Sequence, residues 1–489
     1  MASVASAFPR VGGFKSPDQL RERLDELGLS LPVDDAIVSA ADGSPLAQPA
    51  TVADAAGTLA IPNRWTIHPM EGWDGTTDGR PSDLGRRRWR NFGLSGAGLI
   101  WGGEAVAVQP GGRANPNQLC HTPDTADAFG ELLGILHAAA SEAGHERPIV
   151  GLQLTHSGRF SQPNVKGRLE PRTAYRHPVL DARGVRDDAV LSDGEIETLI
   201  GDYVKAAETA AAAGYDFVDL KSCHGYLAHE FLSAFDRPGP YGGDFDGRTN
   251  YLRTLVAEVR RACPKLAIGV RLSLFDAPPF CPDPAQTNGQ LGPGIPESHP
   301  TPYPGFGCDR DDPLAMDLAE PIRLIETLRD ENGVRLWNLS AGSPYYNPHL
   351  QRPAFYPPSD GYRPPEDPLA GCVRQIDAVR QLRERIEDVF LVGTAYTYFQ
   401  QFLPHVAQAV VRDGWVDSVG LGRMVLSDWT LPADSLRGEA APAKRICRTF
   451  SDCTTAPRNG LRSGCYPLDP EYKATDEARE LKAIKKKLA

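Results

Sequence analysis

Three residues with chemically versatile side chains stand close together in the middle of the chain. Lys221, His224 and Tyr226 supply an ammonium group, an imidazole ring and a phenol within six residues. This combination suits a site that binds and protonates a carbonyl-like group. Taken singly, such a lysine is more often solvated and such a tyrosine more often packed in a core, so the hypothesis depends on finding all three together.

These residues follow an apolar segment with β-branched and aromatic side chains, which predicts a strand over roughly residues 215–220. Predicted helices flank it at about 193–213 and 246–262, and strand and helix alternate from about residue 62 to about residue 435. Eight strands in this order indicate an α/β protein with a (β/α)8 TIM barrel. In such barrels the active site lies at the carboxyl ends of the strands.

The chain is predicted to have three parts. Residues 1–60 are expected to form an N-terminal extension that packs on the barrel, because the segment is too short to bury its own core. Residues 61–440 form the barrel, with long loops after strands 5 and 6. The first of these loops, 277–312, is rich in Pro and Gly and is expected to be a lid over the substrate pocket. Residues 441–489 form a tail with cysteines and a final charged helix.

The composition and net charge of the chain argue against some classes of binding partner. The chain has 489 residues, a net charge of −11 and a pI near 5.5, which argues against nucleic acid or an anionic membrane as a partner. The first residues lack the apolar run of a signal peptide, and nine cysteines without such a signal suggest reduced thiols and a cytoplasmic location. We expect a small-molecule substrate, and the sequence leaves open whether the chain forms a homo-oligomer.

The sequence around Lys221 resembles that of a known family. HGYLAHEFLS, followed by YGG and Arg248, resembles the fourth-strand signature of the old yellow enzyme family, which comprises FMN-dependent ene-reductases. Further segments match in register, among them the Pro-Met loop of strand 1 and Gln-Leu-x-His-x-Gly-Arg in strand 3. The resemblance covers roughly residues 60–435. It implies a flavoprotein oxidoreductase with FMN as cofactor and NADH or NADPH as reductant.

The resemblance assigns cofactor contacts to residues at the ends of several strands. Gln153 would hydrogen-bond the pyrimidine edge of the flavin, a role that suits a buried amide because both of its polar ends need partners. Arg271, a guanidinium among apolar residues, would stabilise negative charge on the reduced ring. The full set of expected FMN contacts is Pro69, Met70, Gly102, Gly103, Gln153, Arg271, Gly393, Thr394, Gly422 and Arg423. The last four match the phosphate-binding segments after strands 7 and 8.

By the same resemblance Tyr226 is the proton donor, and His224 and Lys221 hold the substrate carbonyl. Lys221 departs from the family, which usually has a histidine there, and its point charge favours an acidic, strongly polarised or carboxylate-bearing enone or enoate. Glu71 is a second departure, at a position that is often Cys or Thr. Its carboxylate is expected either to lower the flavin potential or to face away towards a basic neighbour.

The tail resembles a longer branch of the family, that of dienoyl-CoA reductase and trimethylamine dehydrogenase, whose four cysteines hold a [4Fe–4S] cluster. Cys447 stands near the first of those positions, Cys453 and Cys465 keep the spacing of the last two, and Phe450 occupies the second. Four thiolates are the usual ligand set. We therefore expect no cluster and no metal, and any electrons to enter and leave at the flavin.

Three functions compete. The first is an ene-reductase-like FMN oxidoreductase that reduces an activated C=C bond. The second is an FMN-dependent dehydrogenase or oxidase that acts on C–N or C–O bonds, with Lys221 disfavouring cationic amines. The third is a barrel without catalysis that serves as a binding protein. Reduction of bound flavin by NAD(P)H would separate the first from the second, and absence of flavin would support the third.

Overall fold

The computed structural model describes residues 8–73, 75–286 and 291–488. Its strands, in chain order, are β1 (Ala50–Asp54), β2 (Gly57–Ile61), β3 (Trp65–Ile67), β4 (Leu99–Ile100), β5 (Ala105–Ala107), β6 (Ile149–Thr155), β7 (Phe217–Ser222), β8 (Ala267–Ser273), β9 (Phe280–Pro282), β10 (Gly294–Pro296), β11 (Leu336–Ser340), β12 (Phe390–Gly393) and β13 (Ser418–Leu421).

The helices are α1 (Pro17–Glu26), α2 (Asp83–Gly93), α3 (Ala126–Glu142), α4 (Asp193–Ala213), α5 (Leu227–Phe231), α6 (Phe245–Ala262), α7 (Ala319–Asn332), α8 (Pro348–Gln351), α9 (Pro368–Arg383), α10 (Leu403–Arg412), α11 (Met424–Ser427), α12 (Leu431–Leu436), α13 (Asp452–Arg458), α14 (Pro470–Lys473) and α15 (Asp476–Leu488). Among the described residues, no helix combines the length and apolarity needed to cross a membrane.

A closed parallel barrel organises the chain. Its ring runs β3, β4 with β5, β6, β7, β8, β11, β12 and β13, and it closes where β13 pairs with β3. The predicted (β/α)8 TIM barrel is therefore confirmed, with all eight strand positions in the predicted order. Every residue of β6, β7 and β8 is buried, as expected for strands covered by side chains on one face and by helices on the other.

The second position of the ring is split into two short pieces. β4 and β5 both pair with β6, and the chain between them passes through Gly102 and Gly103, whose φ angles are 138° and 58°. A side chain at Gly103 would place its Cβ 2.4 Å from the ring of Trp89. The break thus needs glycine for its backbone conformation and for its close packing.

An antiparallel hairpin closes the amino-terminal end of the barrel. β1 and β2 pair from Ala50↔Ile61 to Asp54↔Gly57. Val52 and Ile61 pack in one apolar cluster with the first residues of six barrel strands, namely Leu99, Ile149, Phe217, Ala267, Leu336 and Phe390. For residues 1–60 the sequence predicted only an extension that packs on the barrel. The sequence did not indicate the hairpin, because the segment is rich in Ala and Gly and its apolar and polar residues alternate only weakly.

The loop after β8 packs beside the site. Tyr303 from this loop and Tyr346 from the loop after β11 each donate a 2.7 Å hydrogen bond to the buried carboxylate of Asp276. Part of the predicted lid, residues 287–290, lies outside the described residues. No described residue of 277–312 lines the cavity at the carboxyl ends of the strands.

The C-terminal tail instead covers that face of the barrel. Asp469, which caps α14, accepts two hydrogen bonds from Arg87 of α2, at 2.8 and 3.0 Å. Arg458 of α13 donates to the carbonyl oxygen of Pro344 and to Asp360, both in the loop after β11. The tail is therefore tied both to a barrel helix and to a loop of the catalytic face.

Candidate active site

One cavity of about 210 Å³ lies at the carboxyl ends of the barrel strands. Ten of the thirteen residues that the sequence predicted line it: Pro69, Met70, Gln153, Lys221, His224, Tyr226, Arg271, Thr394, Gly422 and Arg423. The other three, Gly102, Gly103 and Gly393, do not line it. A Cβ at Gly102 would come within 2.7 Å of the backbone nitrogen of Gln153, and one at Gly393 within 2.7 Å of the Tyr396 hydroxyl.

The hydroxyl group of Tyr226 is already hydrogen-bonded within the protein. It donates to Glu71 Oε2 at 2.6 Å and lies 2.9 Å from the hydroxyl oxygen of Tyr345. Burial and then the charge of Glu71 hold the pKa of Tyr226 well above its usual range. The sequence predicted Tyr226 and noted Glu71 as unusual, but gave no sign that the two side chains meet, because they are 155 residues apart.

Lys221 lies over the face of the Tyr226 ring. Its Nζ is 3.6 Å from the ring centroid, which is the geometry of a cation–π contact. Burial lowers the pKa of Lys221, and the negative charge of Glu71 opposes that effect. The ammonium therefore faces the ring, and the end of the side chain reaches the cavity.

The imidazole of His224 is fixed by the neighbouring strands. Its backbone φ of 64° is uncommon outside glycine, and its N–H donates to Ser273 Oγ at 3.0 Å. Nε2 lies 2.8 Å from Ser340 Oγ. Burial, followed by the charges of Arg271 and Lys221, holds the pKa of His224 well below its usual range, so the ring is neutral.

A carboxylate on β7 organises the polar groups of β6 and β8. Asp219 accepts a 2.5 Å hydrogen bond from Gln153 Nε2 and a 2.7 Å bond from the backbone N–H of Arg271. Burial raises the pKa of Asp219 to about 6. Arg271 Nη1 reaches the carbonyl oxygen of Pro69 at 3.3 Å, whereas its buried Nε has no partner among the described residues.

Two further basic residues line the same cavity. Arg423 follows β13, and Arg352 lies in the loop after α8. Arg423 Nη1 and Arg352 Nε are buried without a partner among the described residues. Burial, followed by the charge of Arg423, lowers the pKa of Arg352 to about 9. Two neighbouring guanidinium groups with unused N–H donors form a site for an anion.

Sequence reasoning missed several residues of this cavity wall. Arg352 lies in a Pro-rich loop with no periodic pattern, and only its charge could have marked it. His68, which directly precedes the predicted Pro69, is buried with Nδ1 3.0 Å from the Asn338 amide. From the tail come Cys453, Thr454 and Ser463. Nothing local in their sequence indicates that the tail folds over the barrel.

The three tail cysteines lie near one another. Cys447 and Cys465 are buried, Cys453 is partly buried, and all three border a small cavity together with Phe450. Burial raises the pKa of Cys447 and of Cys465, which keeps both thiols protonated. Among the described residues, no group of three or more His, Cys, Asp or Glu side chains has a metal-binding arrangement.

Comparison with known proteins agrees with this geometry. Residues 56–280 match the NADH:flavin oxidoreductase / NADH oxidase family. The matched segment is 225 of the 489 residues, which is less than half of the chain. Curated members similar to it include the NADPH dehydrogenases of Bacillus velezensis, 29% identical over 206 residues, and Bacillus subtilis, 27% identical over 217 residues. The matches cover 41% and 44% of this chain, and 57% and 59% of the two relatives, so the chain spans less than two thirds of their length.

Solved structures of old yellow enzyme type share the fold. Morphinone reductase in complex with tetrahydroNAD superposes with a TM-score of 0.54 at 21% identity, covering 81% of this chain and 92% of the reductase. The old yellow enzyme homologue from Zymomonas mobilis gives 0.54 at 21% identity, with 80% and 91% covered. A 2-naphthoyl-CoA reductase complex gives 0.62 at 16% identity, with 89% and 58% covered. At these identities the likeness concerns the fold alone.

Proposed function

We propose that the chain is an FMN-dependent oxidoreductase that uses NADH or NADPH to reduce an activated C=C bond. The observation that carries this proposal is the convergence of Tyr226, Lys221 and His224 on one cavity with Gln153 and Arg271. A phenol, a cation and a neutral imidazole line the same space as an amide and a guanidinium whose Nε has no partner among the described residues. The match of residues 56–280 to the flavin oxidoreductase family and the name NADPH dehydrogenase of similar proteins support this choice.

The polar groups of the wall fit FMN. Because Gln153 gives one hydrogen of its amide to Asp219, its Oε1 is left to accept a hydrogen bond from the flavin pyrimidine. Arg271 offers an unused donor on the neighbouring strand β8. The unused donors of Arg352 and Arg423 suit the phosphate. These two arginines follow β11 and β13 and line the same cavity as Gln153 and Arg271.

Bound FMN would accept a hydride from the nicotinamide cofactor and supply one to the substrate. The side chains of the cavity then bind the substrate and supply the proton. Lys221 and the neutral ring of His224 hold the carbonyl oxygen and stabilise the charge that develops there. Tyr226 supplies the proton to the α-carbon. Because Lys221 brings a full positive charge, we propose substrates that carry a carboxylate or a strongly polarised carbonyl group.

The absorption spectrum of the purified protein, followed by acid release of the chromophore, tests the cofactor. We expect released FMN and a two-band flavin spectrum that bleaches anaerobically with NADH or NADPH and returns when cyclohexenone or a carboxylate-bearing enone is added. Absorption beyond the flavin bands would indicate iron bound to the tail cysteines. A colourless protein that does not take up FMN would contradict the proposal and favour a binding protein.

One observation favours a second function, FMN-dependent oxidation of a C–O or C–N bond. The Tyr226 hydroxyl donates to Glu71, so Tyr226 can take a proton from a substrate as its own proton passes to the carboxylate. Flavin that is reduced by a hydroxy compound, but not by NADH or NADPH, would support this function over the first.

A further inference from the structure

We propose that Glu71 and Tyr226 form a proton relay, in which Glu71 exchanges a proton with Tyr226 in the same turnover in which Tyr226 exchanges one with the substrate. The inference rests on the proposed function and deepens it, since it names a positioning residue that serves the proton donor. It starts from the 2.6 Å hydrogen bond between Tyr226 and Glu71 Oε2, which lies at the cavity wall.

The exposure of the two side chains gives the relay a direction. Tyr226 is 4% exposed, whereas Glu71 is only partly buried. Glu71 is therefore the member of the pair that can exchange protons with water, and Tyr226 is the member that faces the substrate. Burial holds the pKa of Tyr226 well above its usual range, so a phenol with no partner to restore its proton would be a reluctant acid.

Two neighbours stabilise the transient loss of the Tyr226 proton. The Nζ of Lys221 lies 3.6 Å from the ring centroid, and Tyr345 can donate to the phenolic oxygen across 2.9 Å. The charged and titratable groups that act on the pair are Lys221 and Tyr345, with Arg458 acting on Tyr345. Tyr345 is itself held by a stacked contact with Phe160, at 3.9 Å between ring centroids.

Glu71 is the acceptor of the observed hydrogen bond, so in the reducing direction its carboxylate first takes a proton from water and can then donate to the Tyr226 oxygen. The O–H bond of Tyr226 breaks as its proton forms a C–H bond at the α-carbon, and the O–H bond of Glu71 breaks as its proton passes to the Tyr226 oxygen. The hydride, with its two electrons, reaches the β-carbon from the reduced cofactor of the proposed reaction. Glu71 is left as a carboxylate and recovers a proton from water. In the oxidising direction the same bonds change in reverse.

The substitution Glu71→Gln separates a relay from a fixed charge. Glutamine keeps the shape and can accept a hydrogen bond, but it cannot deliver a proton. If Glu71 acted only as a static negative charge, its removal would make Tyr226 a stronger acid and reduction of the enone would be as fast or faster. For a relay we expect reoxidation by cyclohexenone to slow by about tenfold or more relative to reoxidation by ferricyanide, which takes electrons without a proton at carbon.

Two further variants serve as comparisons. Glu71→Asp keeps a transferable proton and should recover part of the rate. Tyr345→Phe removes one partner of Tyr226 but leaves Glu71 in place, and should lose less than Glu71→Gln. A Glu71→Gln rate that equals or exceeds that of the native protein would overturn the relay. So would a loss that simply adds to that of Tyr226→Phe, because members of one relay are not additive.

Two measurements do not depend on turnover of a variant that folds poorly. The rate of the native protein can be measured in mixtures of light and heavy water. A plot of rate against deuterium fraction should be curved if two protons move, and a straight line would contradict the proposal. Separately, the ultraviolet absorption of the Tyr226 phenolate, identified by its loss in Tyr226→Phe, should appear at lower pH in Glu71→Gln. No shift would mean that Glu71 does not face Tyr226. This titration needs no substrate, so it still tests the contact if reduction by NAD(P)H, and with it the proposed function, fails.

Discussion

Gln153 and Asp219 lie side by side on β6 and β7, and the Gln153 amide donates a 2.5 Å hydrogen bond to the Asp219 carboxylate. The same carboxylate accepts the backbone N–H of Arg271 from β8. One acidic group thus orients a side chain that faces the cavity and joins three neighbouring strands. Since Asp219 is fully buried, its ionisation is coupled both to the stability of the barrel and to the shape of the site.

Asp219 is expected to make the protein less stable as the pH rises from about 4 to about 6. Its pKa is about 6 in the folded chain and 3.8 without the fold, so the folded chain holds more protons across this window. The cost at neutral pH is about 3 kcal/mol of unfolding free energy. Urea denaturation of Asp219→Asn should lack this dependence. Parallel pH profiles for the variant and the native protein would contradict the assignment.

Loss of either basic residue at the anion site should weaken FMN binding. Arg423→Gln and Arg352→Gln each remove charge-assisted hydrogen bonds, and we expect the Kd for FMN to rise by about 10- to 100-fold. The Kd is measured from the quenching of flavin fluorescence when FMN binds to the apoprotein. Arg385→Gln is the control. It removes the charge of an exposed arginine that does not line the cavity, and it should leave the Kd unchanged. If riboflavin, which lacks the phosphate, lost as much affinity as FMN, the arginines would not be binding the phosphate.

Lys221→His should change substrate preference. Exchanging a fixed ammonium for a neutral imidazole is expected to lower the ratio of kcat/KM for a carboxylate-bearing enone over a neutral enone by about tenfold. In the native protein the same ratio should fall with rising pH, and at a pH below 10.5, because burial lowers the pKa of Lys221. Equal ratios in the two proteins would show that Lys221 does not meet the substrate carboxylate.

Weakening the attachment of the tail should speed the loss of FMN. Asp469→Asn removes the charge that holds Arg87, and Asp469 is 2% exposed, so the pair is partly shielded from water. We expect FMN to dissociate several-fold faster and Tm to fall by about 1–2 °C, since about 1 kcal/mol of stability moves Tm by about 1 °C in a chain of 489 residues. Asp476→Asn is the matched control, because its pair with Arg479 is exposed. Equal rates of FMN dissociation in the two variants would show that attachment of the tail does not slow the loss of FMN.

The barrel could be predicted from the sequence because each of its strands is apolar and ends in glycine or in polar side chains. Lys221 and Arg271 were found because a charge at the end of an apolar strand is conspicuous. Glu71 was noticed for its type, but its partner Tyr226 lies far along the chain, and only the closed ring brings them together. Arg352 and Ser463 carry no local signal, because a Pro-rich loop and the tail take their positions from tertiary contacts.

The hairpin β1–β2 has a consequence for synthesis of the chain. It is made early, yet the cluster in which Val52 and Ile61 are buried extends to Val392, more than three hundred residues later. Until that strand has left the ribosome, the apolar side of the hairpin lacks part of its cover. Such a delay favours contact with chaperones and makes the last strands, rather than the first, decide when the amino terminus becomes resistant to proteases.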